Sequence, residues 1–169
     1  MHLIGTHNGK SILSLYTLQM GYLLSTLNQI PRCLEELIDA ASDQQLKGAF
    51  HSHLMKAGLQ RERIEQILLE LTSKVATKKC AVTAALIESV EKIVRETDPG
   101  SVRDAWLAAG VHRIEEFEIA CYQDALQWAL ILGYTYQASL LEATLDEDRR
   151  ADASLCSIAE RINLTMKAA

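Results

Sequence analysis

Apolar residues recur at intervals of three and four along most of the chain, the spacing that keeps one face of an α-helix buried at about 100° per residue. From about residue 11 to 41 the stripe is Tyr16, Met20, Leu23, Leu27, Ile30, Leu34, Leu37 and Ala41, and it predicts a long helix buried along one side. Pro31 falls inside it. A proline removes a backbone donor and clashes with the preceding turn, so a kink or a division into two shorter helices is expected there. Ser42, with Gln45 three residues on, has the spacing of a capping box and predicts the start of a second helix. That helix extends to about 72 on Leu46, Phe50, Leu54, Ala57, Ile64, Leu68 and Leu71.

A polar stretch over 73–79 predicts a loop, and Val82, Leu86, Ile87, Val90 and Ile93 predict a shorter crossover helix over about 80 to 96. Thr97 to Ser101 combines turn residues with helix-start chemistry, Asp104 standing three positions after Ser101. A third long helix is expected from there to about Leu132, with Gly133 as its stop. A fourth runs from about 136 to 165 on Leu141, Leu145, Leu155, Ala159 and Ile162, with Asp148 and Asp152 on the same face. Residues 1–9 lack a helical period and are expected to form a loose arm, leaving 10–166 for the folded unit. Four long helices with a longer connection between the second and third predict an all-α protein, an antiparallel four-helix bundle of two helical hairpins with a short extra crossover helix.

Composition agrees. The chain has 169 residues, the size of one ordinary domain, with only 8 glycines and 2 prolines to build sheet turns. The net charge of −5, with basic residues scattered, lacks the electrostatic footprint of a nucleic-acid binder. Cys33, Cys80, Cys121 and Cys156 form no Cys-x-x-Cys pair and read as reduced intracellular thiols. Neither a signal-peptide pattern nor an apolar run of membrane length is evident, so a cytoplasmic protein without membrane or nucleic-acid partners is expected.

One helix breaks the pattern. Leu107, Val111, Ile114, Tyr122, Ala125 and Ala129 form a stripe, and Glu115 and Glu118 fall inside it. A buried carboxylate needs a cation, a metal, a proton or several hydrogen bonds. The polar residues on the other inner faces are His53, Gln60 and Arg61 from the second helix and Asp148 with Asp152 from the fourth; the first helix supplies none. Three readings are open at this point. Arg61 and His53 neutralise the acids in a buried network that fixes helix register; a metal site uses Glu115, Glu118, Asp148 and His53; or the acids lie on a solvated face displaced by a turn. A permanent charge on Arg61 would oppose a divalent cation.

Other candidates are weaker. His51 and His53, two residues apart, point to different sides of a helix. His112 reads as a surface residue, Cys121 as a small core residue, and Trp106 and Trp128 as packing or interface anchors. No phosphate-binding glycine loop or nucleophile motif is present.

The segments Leu46-Lys-Gly-Ala-Phe-His-Ser-His-Leu54, Lys79-Cys-Ala-Val-Thr-Ala-Ala-Leu-Ile87, Val102-Arg-Asp-Ala105, Ile114-Glu-Glu-Phe-Glu-Ile-Ala-Cys-Tyr122 and Leu141-Glu-Ala-Thr-Leu-Asp-Glu-Asp-Arg149 resemble the YciE/YciF-type ferritin-like proteins of bacteria. The resemblance implies a ferritin-like bundle, commonly dimeric, associated with stress responses and without an established reaction. It also implies a dimetal carboxylate site with a glutamate on the first helix and acids after His-Leu on the second. Here Leu27 stands in place of the first, and Met55 and Lys56 in place of the others. Glu115 and Glu118 match, while Asp146-Glu-Asp148 stands where the family has consecutive glutamates.

The expectation is therefore a stress-associated bundle with a degenerate dimetal site, non-catalytic, without cofactor and homodimeric. Tyr16, Met20, Trp106 and Trp128 are its candidate interface residues. The competing expectation is a protein that holds or oxidises iron or manganese through Glu115, Glu118, Asp148 and His53.

Overall fold

The computed structural model describes residues 11–75 and 77–168. The arm expected over 1–9 lies outside them. Five helices follow in order: α1 (Ile12–Ala40), α2 (Gln44–Thr72), α3 (Ala81–Glu96), α4 (Ser101–Ile131) and α5 (Thr135–Ala168). No strand occurs among the described residues.

Ser11 caps α1: its hydroxyl accepts from the Ser14 amide, and the Ser14 hydroxyl accepts from the Ser11 amide. Pro31 does not divide the helix, which continues unbroken to Ala40. Packing of its buried face on both sides of the proline outweighs the one backbone bond lost.

The cap of α2 is Asp43, not Ser42: the Asp43 carboxylate accepts from the amides of Gln45 and Leu46. The Ser42 amide is used differently. Asp104, buried at the start of α4, accepts from the amides of Ser42 and Asp43, each at 2.8 Å. One side chain thereby ties the α1–α2 link to the far hairpin, and Arg103 Nη2 donates to the Ala40 carbonyl at 2.6 Å beside it. Gly133, with φ of 73°, follows α4 and lets the chain reverse into α5.

The end of α1 therefore meets the start of α4. Arg63 of α2 reaches Glu147 of α5, and Glu70 reaches Gln137, so those two helices also run in opposite directions. The four long helices form an antiparallel ring in the order α1, α2, α5, α4, with α3 laid across α1 and α4. Thr26 of α1 meets Thr83 of α3 at 2.7 Å, and Ser25 accepts from the Cys80 amide at 3.0 Å, so the buried hydroxyls of α1 serve the crossover. Against α4 the crossover comes very close. A Cβ at Gly110 would lie 2.5 Å from Val90 Cγ2, which is why glycine occupies the middle of that helix.

The core is in two parts. One cluster contains Leu23, Leu27, Ile64, Ile119, Tyr122 and Leu145, the other Ile30, Leu34, Phe50, Val111, Ile114 and Leu155. Tyr16 and Met20, expected as interface candidates, are fully buried in the first cluster. Their period shows that they are covered, and the covering surface belongs to the same chain.

Candidate functional site

Between the two apolar clusters lies a layer of buried polar side chains: His53 and Gln60 from α2, Glu115 and Glu118 from α4, and Asp148 from α5, none more than 4 % exposed. The helical period brings them together. His53 and Gln60 are two turns apart on one face of α2, and Glu115 and Glu118 are neighbours at i and i+3 on α4. At the same height α1 passes with Leu27 and Ile30 and offers no acid.

The His53 ring lies between the two glutamates, with Nδ1 2.9 Å from Glu115 Oε1 and Nε2 3.4 Å from Glu118 Oε2. These are charge contacts, since neither oxygen meets hydrogen-bond geometry at the ring nitrogens. Gln60 Nε2 donates to Asp148 Oδ1 at 2.6 Å. Glu115 Oε2, both Glu118 oxygens, Asp148 Oδ2, Gln60 Oε1 and the Tyr122 hydroxyl accept or donate no hydrogen bond within the protein. A buried polar atom without a partner costs about 1–3 kcal/mol, so this layer calls for protons, ordered water or an ion.

Charge counting shows where protons go. Three carboxyl groups surround one imidazole, and burial penalises every uncompensated charge. Burial alone would lower the His53 pKa, but the Glu115 carboxylate and then Glu118 outweigh it and push it up to about 10. Burial raises Glu118 despite the opposing effect of His53. Burial, followed by the charges of Glu118 and Glu115, pushes Asp148 up to about 8. Near neutrality His53 is a cation facing Glu115, and Asp148 tends to keep its proton.

Arg61 is not the buried partner expected from the sequence. Its side chain is 45 % exposed, and Nε lies 3.7 Å from Glu65. Two residues along a helix is a rotation of about 200°, which brings Arg63 toward α5 instead. Arg63 donates to both oxygens of Glu147, at 2.8 and 2.9 Å, and to Thr144 Oγ1 at 2.9 Å. It holds the Glu147 carboxyl below its usual range, with burial opposing the shift. Nor do Met55 and Lys56 face the layer as expected ligand replacements. Met55 is 63 % exposed and Lys56 half-buried at the protein surface. The inward α2 position is that of Gln60. Asp152 also leaves the layer, pairing with His112 on the outside of the α4–α5 pair.

A cleft of about 240 Å³ reaches His53 and Glu115 from outside, lined by Ser52, Lys56, Arg150 and Ser154 among others. Lys56 and Arg150 place positive charge along this approach, which opposes entry of a cation.

A dimetal carboxylate centre draws a carboxylate from each of four helices and a histidine from two. This layer has three acids from two helices and one histidine, so the donor set does not fit a metal pair. For a single cation it is larger: His53, Glu115 and Glu118 each offer a ligand atom, all within 4.8 Å of one another.

Four long antiparallel helices, a crossover helix and an acid- and histidine-bearing layer at mid-height define a ferritin-like helical bundle. The chain belongs to the family described as Domain of unknown function (DUF892), which matches residues 11–168. Protein YciF of Escherichia coli K12 is 35 % identical over 153 residues, spanning 90 % of this chain and 92 % of YciF. The crystal structure of the E. coli stress protein YciF superposes with a TM-score of 0.86 at 33 % identity, covering 90 % of this chain and 97 % of that one. YcfI from Rhodopseudomonas palustris gives a TM-score of 0.84 at 25 % identity, over 89 % and 96 % of the two chains. The family is thus the YciE/YciF type that the sequence motifs resemble.

Proposed function

We propose that this protein is a stress-associated member of the family whose dimetal centre has become a proton-and-charge layer, and that it acts as a structural or binding protein without catalysis. One observation carries the reading: the His53 imidazole sits between Glu115 and Glu118, where it supplies the positive charge that metal ions would otherwise bring. The apolar α1 face at the same height and the cationic approach support it. The stress association is supported by the description of E. coli YciF as a stress protein. Complementation tests the reading. A strain lacking the gene is challenged by heat, salt and peroxide, and the Glu115→Gln/Glu118→Gln double variant is compared with wild type for rescue at matched protein level. Rescue by both is expected; rescue by wild type alone would overturn the non-catalytic reading.

A second reading has its own support in the carboxylate oxygens that lack a partner. Here the layer holds one iron or manganese ion through His53, Glu115 and Glu118, with Asp148 beside them. Metal analysis of protein purified without chelators decides between the two. Stoichiometric iron or manganese, lost in Glu118→Ala, would establish the second reading and overturn the first.

The chain is further read as a cytoplasmic homodimer. The location is supported by four free cysteines, and no described helix is long and apolar enough to cross a membrane. Trp106, 51 % exposed, and half-buried Trp128 remain candidates for the dimer contact. Sedimentation showing only the 18.8 kDa species at micromolar concentration would overturn it.

A further inference from the structure

A second cluster of ligand-type side chains lies away from the central layer, on the outer side of the α4–α5 pair. His112 projects from α4; Asp152 and Cys156 stand one turn apart on α5. His112 Nδ1 is 2.5 Å from Asp152 Oδ1, and Cys156 Sγ is 3.6 Å from the same ring nitrogen and 3.9 Å from Asp152 Oδ2. One ligand atom from each residue lies within 4.8 Å of the others.

These spacings suit one cation. Zinc bonds of about 2.0 Å to nitrogen or oxygen and about 2.3 Å to sulfur place neighbouring ligand atoms about 3.3–3.6 Å apart in a tetrahedral site. The sulfur–nitrogen distance already has that value. The sulfur lies slightly far from Asp152 Oδ2 while the ring nitrogen lies close to Oδ1, so a turn of the carboxylate that brings one oxygen to both, opening the nitrogen–oxygen contact by about 1 Å, completes the set. Charge balances as well: a neutral imidazole, one carboxylate and one thiolate together match a divalent ion. The sulfur ligand selects a borderline or soft metal over magnesium, calcium or manganese.

The surroundings leave the fourth position open. The His112 side chain is 41 % exposed and Asp152 14 %, and both His112 and Cys156 line a groove of about 380 Å³ walled by Ala105, Ala108, Ala109 and Ala159. Small side chains there leave room for water or a small ligand on the metal.

We propose that His112, Asp152 and Cys156 form a three-ligand surface site for a thiophilic divalent cation, zinc in particular, with a fourth position open to the α4–α5 groove. Binding forms a metal–sulfur bond and releases the Cys156 proton to solvent, with no change of oxidation state. The site is independent of the central layer and of the function proposed for it.

Cobalt(II) tests this by spectroscopy, because only a thiolate ligand gives sulfur-to-cobalt charge-transfer absorption in the near ultraviolet. Reduced, metal-free protein is titrated with cobalt(II), then with zinc(II). The expected result is a charge-transfer band that saturates at one cobalt per chain and is displaced by one zinc. Cys156→Ser abolishes it, and His112→Ala and Asp152→Asn each weaken cobalt affinity at least tenfold. Cys121→Ser and Glu118→Gln leave the band unchanged, which separates this site from the central layer. Circular dichroism confirms that each variant is folded. No band at millimolar cobalt, a band that survives Cys156→Ser, or affinity unaffected by His112→Ala would each overturn the proposal.

Discussion

His53 Nδ1 stands 2.9 Å from Glu115 Oε1, with both side chains at most 5 % exposed, so the bundle carries an ion pair at the boundary between its two apolar clusters. The His53 pKa is raised from 6.5 to about 10. Its stabilising contribution is fully present below about pH 6.5 and is lost as pH rises through about 10. Asp148 is raised from 3.8 to about 8, so its contribution is present below 3.8 and is lost as pH rises through about 8. The two effects have the same sign. Urea unfolding of metal-free protein is expected to give midpoints that fall steadily from mildly acidic to alkaline pH. In His53→Gln the part of that fall above about pH 6.5 should be smaller. A wild-type midpoint that stays level across this range would contradict the assignment.

Glu118 and Glu115 should respond differently to neutralisation. Burial raises the Glu118 pKa, so neutralising it costs less: Glu118→Gln should destabilise less than Glu115→Gln at pH 7. Glu115→Gln removes the charge facing the imidazolium and should cost about 3–5 kcal/mol, the usual penalty for a broken buried pair. Equal losses in the two variants, measured by denaturant titration, would show that the proton resides elsewhere in the layer.

Asp104 is the anchor between the hairpins, accepting from two backbone amides. Asp104→Ala is expected to destabilise by about 1–3 kcal/mol, because two backbone amides of the α1–α2 link lose a charged acceptor. Asp104→Asn keeps one acceptor oxygen and should lose less. Thermal unfolding of the two variants beside wild type provides the check.

Arg61 and Arg63 separate surface from rim. Arg61→Leu should fall within about 0.5 kcal/mol of wild type, as an exposed substitution does. Arg63→Leu should cost about 1.5–3 kcal/mol, since it removes charge-assisted bonds to Glu147 and a bond to Thr144. If Arg61 proved the more costly of the two, the placement of α2 would be wrong by half a turn.

Gly110→Ala introduces a methyl group 2.5 Å from Val90 Cγ2. Overpacking of about 1–3 kcal/mol is expected even though alanine favours helix more than glycine does. Val90→Ala in the same chain should recover part of that loss, and an absence of recovery would place the strain somewhere other than the α3–α4 contact.

Periodicity alone located all five helices and the buried positions of Glu115, Glu118, Asp148 and His53, because a stripe recurring over several turns averages out local exceptions. It failed wherever one residue of rotation mattered. Arg61 is adjacent in sequence to Gln60, yet about 100° around the helix separates them, and only Gln60 faces inward. Tyr16 and Met20 were legible as covered surface, but a period carries no information on whether the cover comes from the same chain or another. Asp104 was read as part of its own helix start, whereas its role is to cap a link about 60 residues away in sequence, a tertiary relationship that capping patterns do not encode. The cluster of His112, Asp152 and Cys156 was missed altogether, although Asp152 and Cys156 at i and i+4 were a visible hint on α5.

The division of the core by a polar layer bears on how the bundle comes apart. Every one of the four long helices contributes buried residues to both apolar clusters, so the two clusters are walled by successive lengths of the same four helices. Melting one end frays four helices at once and strips the charge layer of its cover, exposing acids that water would then ionise. Coupling through this layer is expected to join the two clusters into one cooperative folding unit, in which case the slowest-exchanging amides above and below it report the same opening free energy; clearly different values would show that the two ends open independently.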